Sequence, residues 1–439
     1  MAITIDEDVF VSIEQAFGIA DAFLTQKAGE NGLRSDGERK SIVSTETVKA
    51  QDTPLMYALN YSDGGFVMVC ATRNYYPILA FSDEGSFKMK DPEEMGGFVV
   101  WLDEMKEGIR TSETLDDKTK SEISAMWKTY EGEEFQISNS SMFRVTDPMA
   151  DAFGARMRDL FLTYSPQGWS NVYPLSSVSS YMDPYLYSYY CGIANSLGSP
   201  LDYTIVVLKT EYINYQVGPL CTTKWDQGYP FNASCNGCPY AGCATISMAQ
   251  IMKFFGKPST YNWAAMPDST SNSTTANMIR LIGDRLGLNY NTCNVGAEPN
   301  DTKNAFQSFN YNVTQGNHDY TTEKNWLFGQ QKPISMGGYT NSILGIPCGD
   351  GHRWVCDGVK DINHYTTFFL EFINPGTFVY SNQGYSSPSN PITSTTFNAL
   401  YFSMNWGWAG DHDGWFLSSN VNSGNGNYQY GRINFYVTY

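Results

Sequence analysis

The sequence predicts an α+β chain in two parts, joined by a segment that belongs clearly to neither. Three observations carry this. Near the N-terminus a helical pattern is followed by two strand-like runs around a glycine turn, Tyr57–Tyr61 and Phe66–Ala71. In the C-terminal half, Ala244 to Phe255 is apolar on nearly every side, as a helix through the middle of a domain must be. Later, Asp350–Gly358 and Met404–Gly410 read as strands rich in tryptophan and bounded by glycines. Helices and strands that segregate in this way belong to the α+β class.

In chain order, Ser12-Ile13-Glu14-Gln15 is a capping-box pattern, and Ile13, Phe17, Ala20 and Leu24 then share one helical face. This predicts a helix to about Gln26. The polar stretch that follows, to Gln51, reads as loop. Ser62-Asp63-Gly64-Gly65 closes a hairpin between the two strands, and Pro77–Ser82 reads as a third strand. Phe98, Leu102, Met105 and Ile109 mark a second helix; Ile123, Met126, Trp127 and Tyr130 mark a third. Residues 1–130 thus form a small α+β domain. Residues 131–215 are a connecting segment, rich in Tyr, Ser and Pro and weakly periodic, with one strand at Tyr203–Leu208. Residues 216–439 carry the chemistry.

Composition narrows the function. A formal charge of −17, with no basic stripe, argues against nucleic acid, because phosphate binding needs clustered Lys and Arg. No run is long and apolar enough to cross a bilayer as a helix. The N-terminal residues lack a charged-then-apolar leader, so the chain is either cytosolic or is written without its export signal. Nine cysteines leave at least one free thiol. Cys235-x-x-Cys238 reads as half a zinc site or, more readily, as a turn with two small buried thiols or a disulfide, since no second Cys/His pair follows. No metal or other cofactor is expected.

The chemistry centres on Gly242-Cys243, ahead of the apolar helix. Unpaired N–H groups and the positive end of the helix dipole favour an anion there, so a thiol would lose its proton more easily and act as a nucleophile. Taken alone, Cys243 also reads as a buried structural thiol. Three further segments shift the reading: Thr223–Asn232 with Gln227, Asp350–Gly358 with His352, and Asn405-Trp406-Gly407-Trp408. A thiol hydrolase needs a thiolate, an imidazole to share its proton, an amide donor to the oxyanion and a group to hold the imidazole. The chain has four histidines. His318, His364 and His412 read as loop or polar positions; His352 alone opens a strand after a glycine.

These residues resemble those of the streptopain-type cysteine peptidases of the papain-like superfamily, of the kind found in streptococci and in Bacteroides and Prevotella. Gly242-Cys243 with Ala249–Lys253 is similar to the family's nucleophile helix. Gly351-His352 with Val355 and Asp357-Gly358 is similar to its histidine strand. Asn405–Trp408 resembles its Asn-Trp-Gly-Trp motif, and Gln227 with Pro230 and Asn232 its glutamine segment. Tyr261-Asn262-Trp263 and Lys332-Pro333-Ile334 also have counterparts. The likeness runs from about Pro219 to the C-terminus, and the hairpin Gly64–Val69 with Pro77–Ser82 resembles the family's propeptide.

The resemblance implies a papain-like two-lobed fold, with the cysteine helix packed on an antiparallel sheet that bears the histidine, behind a separate propeptide domain. It implies a secreted or cell-surface endopeptidase made as a zymogen. Its partners are protein or peptide substrates, with its own propeptide as intramolecular inhibitor. Cys243 is then the nucleophile and His352 the proton carrier; the Gln227 side chain and the Cys243 N–H hold the oxyanion. Trp406 and Trp408 shield and fix His352. Asn405 either orients His352 or points away. Gly351 lines the substrate cleft. Val295 stands near where the family has a serine in a substrate loop, which leaves the specificity pocket open. Two rival classes share these residues: another thiol acyl-transfer enzyme, such as a cell-wall amidase or peptidase, and a non-catalytic binding protein on a degenerate peptidase fold.

Overall fold

The structure is a computed structural model, and it describes residues 7–30, 41–90, 97–131, 148–169, 171–343, 346–418 and 432–439. In chain order its main elements are α1 (Ile13–Glu30), β1 (Ile42–Ala50), β2 (Thr53–Tyr61), β3 (Phe66–Cys70), β4 (Ile78–Ser82), α2 (Gly97–Thr111) and α3 (Asp117–Glu131). There follow α4 (Pro148–Tyr164), β5 (Asn171–Pro174), α5 (Pro184–Ser196), β6 (Ile205–Val217), α6 (Cys243–Phe255), α7 (Ser273–Arg285), α8 (Pro299–Ser308), β7 (Asn312–Asn317) and α9 (Tyr320–Gln330). The chain ends with β8 (Ile334–Ile343), β9 (Ile346–Asn374), β10 (Val379–Ser381), β11 (Ile392–Asn405), β12 (Gly414–Leu417) and β13 (Ile433–Thr438).

Compactness divides the chain into two units. The first holds 1–114, 215–361 and 400–439; the second holds 115–214 and 362–399.

In the first unit the strands run in the order β1-β2-β3-β4-β12-β11-β9-β8-β13-β7. The N-terminal hairpin is as expected: β2 and β3 pair antiparallel, with Met56 opposite Cys70 and Asn60 opposite Phe66. β4 pairs with β3 and, on its other edge, with β12, where Phe81 meets Trp415. The capping box forms: Ser12 N–H donates to Gln15 Oε1 at 2.9 Å, and Gln15 N–H to Ser12 Oγ at 3.3 Å. One expectation fails. Ile42–Ala50 is a strand, not loop, paired to β2 from Ile42/Tyr61 to Ala50/Thr53. It is an edge strand with only Val48 fully buried, so its polar residues face solvent and its backbone pairing alone shows it to be a strand.

The second unit gives the weakly periodic middle segment its structure. β5 pairs with β6, from Asn171/Leu208 to Pro174/Ile205. Asp183 caps α5, its carboxylate accepting from the N–H of Tyr185 at 2.9 Å and of Leu186 at 3.3 Å. Its core joins Tyr173, Tyr190, Val206 and Phe368. Large aromatic side chains do the packing here, so no helical stripe of aliphatic residues marks α5 in the sequence.

The core behind the candidate site is built on α6. Every residue from Ala244 to Met252 is buried, against Ile279 and Ile282 of α7, Phe306 of α8, Val355 of β9 and Phe435 of β13.

Candidate active site

Cys243 is the first residue of α6. Gly242 before it has φ +95°, and a Cβ there would lie 2.8 Å from the Val295 carbonyl oxygen. Both the angle and the space demand glycine. Gly242→Ala is therefore expected to lower the melting temperature well beyond Gly237→Ala. Gly237 also has positive φ, at +81°, but open space around it. A thermal melt of both variants that shows equal losses would remove the steric argument. At the far end of α6, Lys253 Nζ donates to the carbonyls of Trp263 at 2.6 Å and Met266 at 2.8 Å, and Gly256 closes the helix in the left-handed region.

Helix and sheet are bolted together through serines. Ser247 Oγ lies 3.0 Å from Ser335 Oγ of β8 and donates to the Trp354 carbonyl of β9 at 3.1 Å. This holds the histidine strand beside the first turn of α6. Cys243, Ala244, Gly351, His352 and Arg353 line one narrow cavity, with Gly337 to Tyr339 of β8 and Gly296, Ala297 and Pro299 on its other walls. The Cys243 thiol reaches toward the Gly351 carbonyl at 3.9 Å.

The thiol is not poised as its place at a helix start suggests. Burial pushes it above its ordinary value, against the Arg353 backbone N–H, the Arg353 guanidinium and the N–H groups of Ala244 and Cys243. Cys243 as a whole is only half-buried, but its sulfur sits among enough protein for desolvation to outweigh the local dipoles.

β8 and β9 pair antiparallel, with Gly338 opposite His352 and Gly337 opposite Arg353. Strand alternation then sorts the side chains. Arg353 and Val355 belong to the face toward α6, where Val355 joins its core. His352 shares a face with Trp354, and that face is covered from the N-terminal part of the chain. A Cβ on Gly97 would strike the Trp354 ring at 2.3 Å, and one on Gly338 would touch Val100 at 3.3 Å. Phe98 meets the Trp406 ring edge-on at 6.1 Å, Trp101 Nε1 donates to the Leu417 carbonyl at 3.2 Å, and Glu104 pairs with Arg432.

The other expected residues fall as follows. Gln227 is buried, and its backbone carbonyl accepts from Ala241 N–H at 2.7 Å, two residues ahead of Cys243. Trp406 is buried on the Trp354 side, ring centroids 5.4 Å apart, its indole N–H donating to the His412 carbonyl at 3.0 Å. Trp408 sits by the glutamine segment: it bridges Asp226 through the backbone and meets Tyr240 edge-on at 6.0 Å. The Asn405 side chain is engaged elsewhere than at His352. Its amide donates to the Thr223 carbonyl at 2.6 Å, and its oxygen accepts from Gln250 Nε2 at 2.9 Å and Gly407 N–H at 3.2 Å. Gln250 Oε1 in turn accepts from Trp225 N–H at 3.3 Å. Gln250 thus ties the nucleophile helix to the glutamine segment and, through Asn405, to the tryptophan motif. Its signal in the sequence is a lone amide on an apolar helix, which must find partners once buried.

Other cysteine and histidine readings change. Cys238 bonds Cys293, 55 residues away, and Cys235 is a free buried thiol, so the Cys235/Cys238 pair does not work as a unit. His318, His364 and His412 are all buried; His318 pairs with Glu323, and His412 Nε2 bonds to the Lys88 carbonyl at 2.8 Å. His364 lies between the Tyr212 and Phe397 rings, and no local pattern reveals any of these settings.

Residues 225–416 match the Peptidase C10 family, and residues 8–109 match the Spi protease inhibitor family. No curated protein matches the chain. Among solved structures, a fragment of prointerpain A from Prevotella intermedia aligns over 90% of this chain and 98% of its own at 15% identity, with a TM-score of 0.43. With the cysteine helix, histidine strand and tryptophan motif all inside the first match and the N-terminal hairpin inside the second, residues 225–416 form a peptidase C10 domain and residues 8–109 a Spi-type inhibitor domain: the chain is a cysteine peptidase preceded by an inhibitor-type propeptide domain.

Proposed function

We propose that the chain is a secreted or cell-surface endopeptidase whose Cys243 thiolate attacks the peptide carbonyl while His352 takes and returns the proton. The observation that carries this is the single cavity shared by Cys243, Gly351 and His352 at the start of a buried helix. In this reading the Gln227 amide and the Cys243 N–H hold the oxyanion; one such donor is typically worth about 3–4 kcal/mol of transition-state stabilisation. Trp406 packs behind the histidine strand, and Trp408 and Gly351 border the cleft. Asn405 serves by holding the Thr223–Gln250 network rather than the imidazole.

Residues 1–130 act as the propeptide. Covering the His352 face of β9, they keep the imidazole from the thiol, which stays protonated and dormant at neutral pH. Cleavage within 131–215 would free the peptidase, 216–439, and let Cys243 and His352 form a thiolate–imidazolium pair. No helix among the described residues is long and apolar enough to cross a membrane.

The test is chemical labelling followed by assay. After limited trypsin treatment, a peptidyl epoxide is expected to modify Cys243 ahead of the other cysteines, as read by peptide mass mapping, and the treated protein to digest casein. Uniform slow labelling with no hydrolysis would favour the binding-protein class. Hydrolysis of muropeptides in place of casein would favour a cell-wall enzyme.

A further inference from the structure

Arg353 has no evident role in the chemistry just described, yet it lines the same cavity. It follows His352 in β9 and is only 7% exposed. Its guanidinium lies 4.5 Å from the centre of the Phe435 ring, and Gly337 across the ladder makes room for it: a Cβ there would lie 2.9 Å from Nη2. Its side-chain hydrogen bonds are two long ones, from Nη1 to the carbonyl and hydroxyl of Ser335, each 3.5 Å. Among the described residues no carboxylate pairs with it. The titratable groups that bear on it are the Cys243 thiol and the Tyr339 phenol. In the uncleaved chain neither is an anion at neutral pH, since burial raises both, and after cleavage the Cys243 thiolate has the His352 imidazolium as its partner. Glu298, between the lining residues Ala297 and Pro299, accepts instead from Tyr339 Oη at 3.4 Å.

A buried guanidinium without an anion is costly; burial outweighs the pull of Cys243 and Tyr339 and brings it down to about 10. Such a group is retained where a ligand supplies the counter-charge, and the planar fork of arginine suits a carboxylate. The cavity it faces is the one in which a peptide must lie to reach Cys243.

We infer that Arg353 is a specificity-determining residue: it recognises an acidic side chain of the substrate next to the scissile bond. This rests on the peptidase reading and deepens it. An acidic side chain brings its own charge to a site already desolvated, where a glutamine of the same shape brings none. The bond is charge-assisted, and the discrimination expected is about tenfold or more in kcat/KM.

The experiment uses trypsin-activated protein and pairs of fluorogenic peptides that differ only by Glu against Gln. The pair is placed in turn at each position from the third before the cut to the second after it. Expected is one position at which Glu is cleaved about tenfold faster. Arg353→Met should erase or invert that ratio, and Arg353→Lys should keep part of it. The ratio is read within each variant, so a general fall in activity does not blur it. If Arg353→Met yields no soluble protein, the wild-type ratio and the lysine variant still decide. Glu equal to or worse than Gln at every position overturns the inference alone, as does a preference that survives Arg353→Met. No cleavage of any peptide overturns the peptidase reading as well.

Discussion

Cys243→Ala is expected to leave the precursor intact in mild reductant and to lower peptide hydrolysis by about four orders of magnitude or more. Removing a nucleophile that acts with its base as a unit abolishes nearly all the covalent pathway; what survives is substrate binding and oxyanion stabilisation. The fold should persist. Cys243 is half-buried, sits in the first turn of α6 and makes only weak contacts through its sulfur, such as that to the Gly351 carbonyl at 3.9 Å, while the residues that fix the helix, from Ala244 to Met252, are untouched. The measurement is intact mass against time, wild type beside variant. If the wild type shortens to roughly the C-terminal half while the variant stays whole, the chain processes itself, and the mass gives the cut. If both shorten alike, a contaminating protease is at work. Activity in the variant within tenfold of wild type would exclude Cys243 as the nucleophile.

The second large effect is expected at the propeptide. Glu104 of α2 pairs with Arg432, at 12% and 4% side-chain exposure, and the Arg432 guanidinium also lies 5.6 Å from the Trp354 ring centre. This buried pair stands on the covered face of the histidine strand. Glu104→Gln keeps the volume but leaves the arginine charge without its partner, a change that typically costs about 3–5 kcal/mol. The precursor should therefore release its peptidase sooner. The expected result is a lag before peptide hydrolysis shortened by tenfold or more, with a lower melting temperature. Lys90 and Asp411, 2.7 Å apart and more exposed, form the control: Lys90→Gln should change the lag little. Equal lags in wild type and Glu104→Gln would show that this contact does not hold the propeptide in place.

Much of the site was legible because its signals are local. Gly242-Cys243 before an apolar helix, Gly351-His352 and Asn-Trp-Gly-Trp are short patterns, though His352 lies inside β9, which begins at Ile346, and does not open the strand as its glycine suggests; α1, α2 and the hairpin of β2 and β3 follow from spacing within a few residues. Where strand pairing or aromatic packing decides, the sequence is mute. β1 is a strand because β2 offers it an edge, and α5 is held by rings from distant segments. Cys238 finds Cys293 only because the chain brings Tyr290 and Ala241 together, the Tyr290 hydroxyl donating to the Ala241 carbonyl at 2.8 Å.

By itself, then, the sequence determined the residue types available for the chemistry and their order, since those depend on chain-local patterns of charge, polarity and glycine. The tertiary structure alone decided their state. Burial, a property of the whole neighbourhood, reverses the expected lowering at Cys243. Ladder register, set by pairing Gly337 and Gly338 with Arg353 and His352, determines which neighbour faces the thiol and which faces the propeptide. Adjacent residues in a strand point to opposite faces, so one place in register separates the proposed proton carrier from a buried cation.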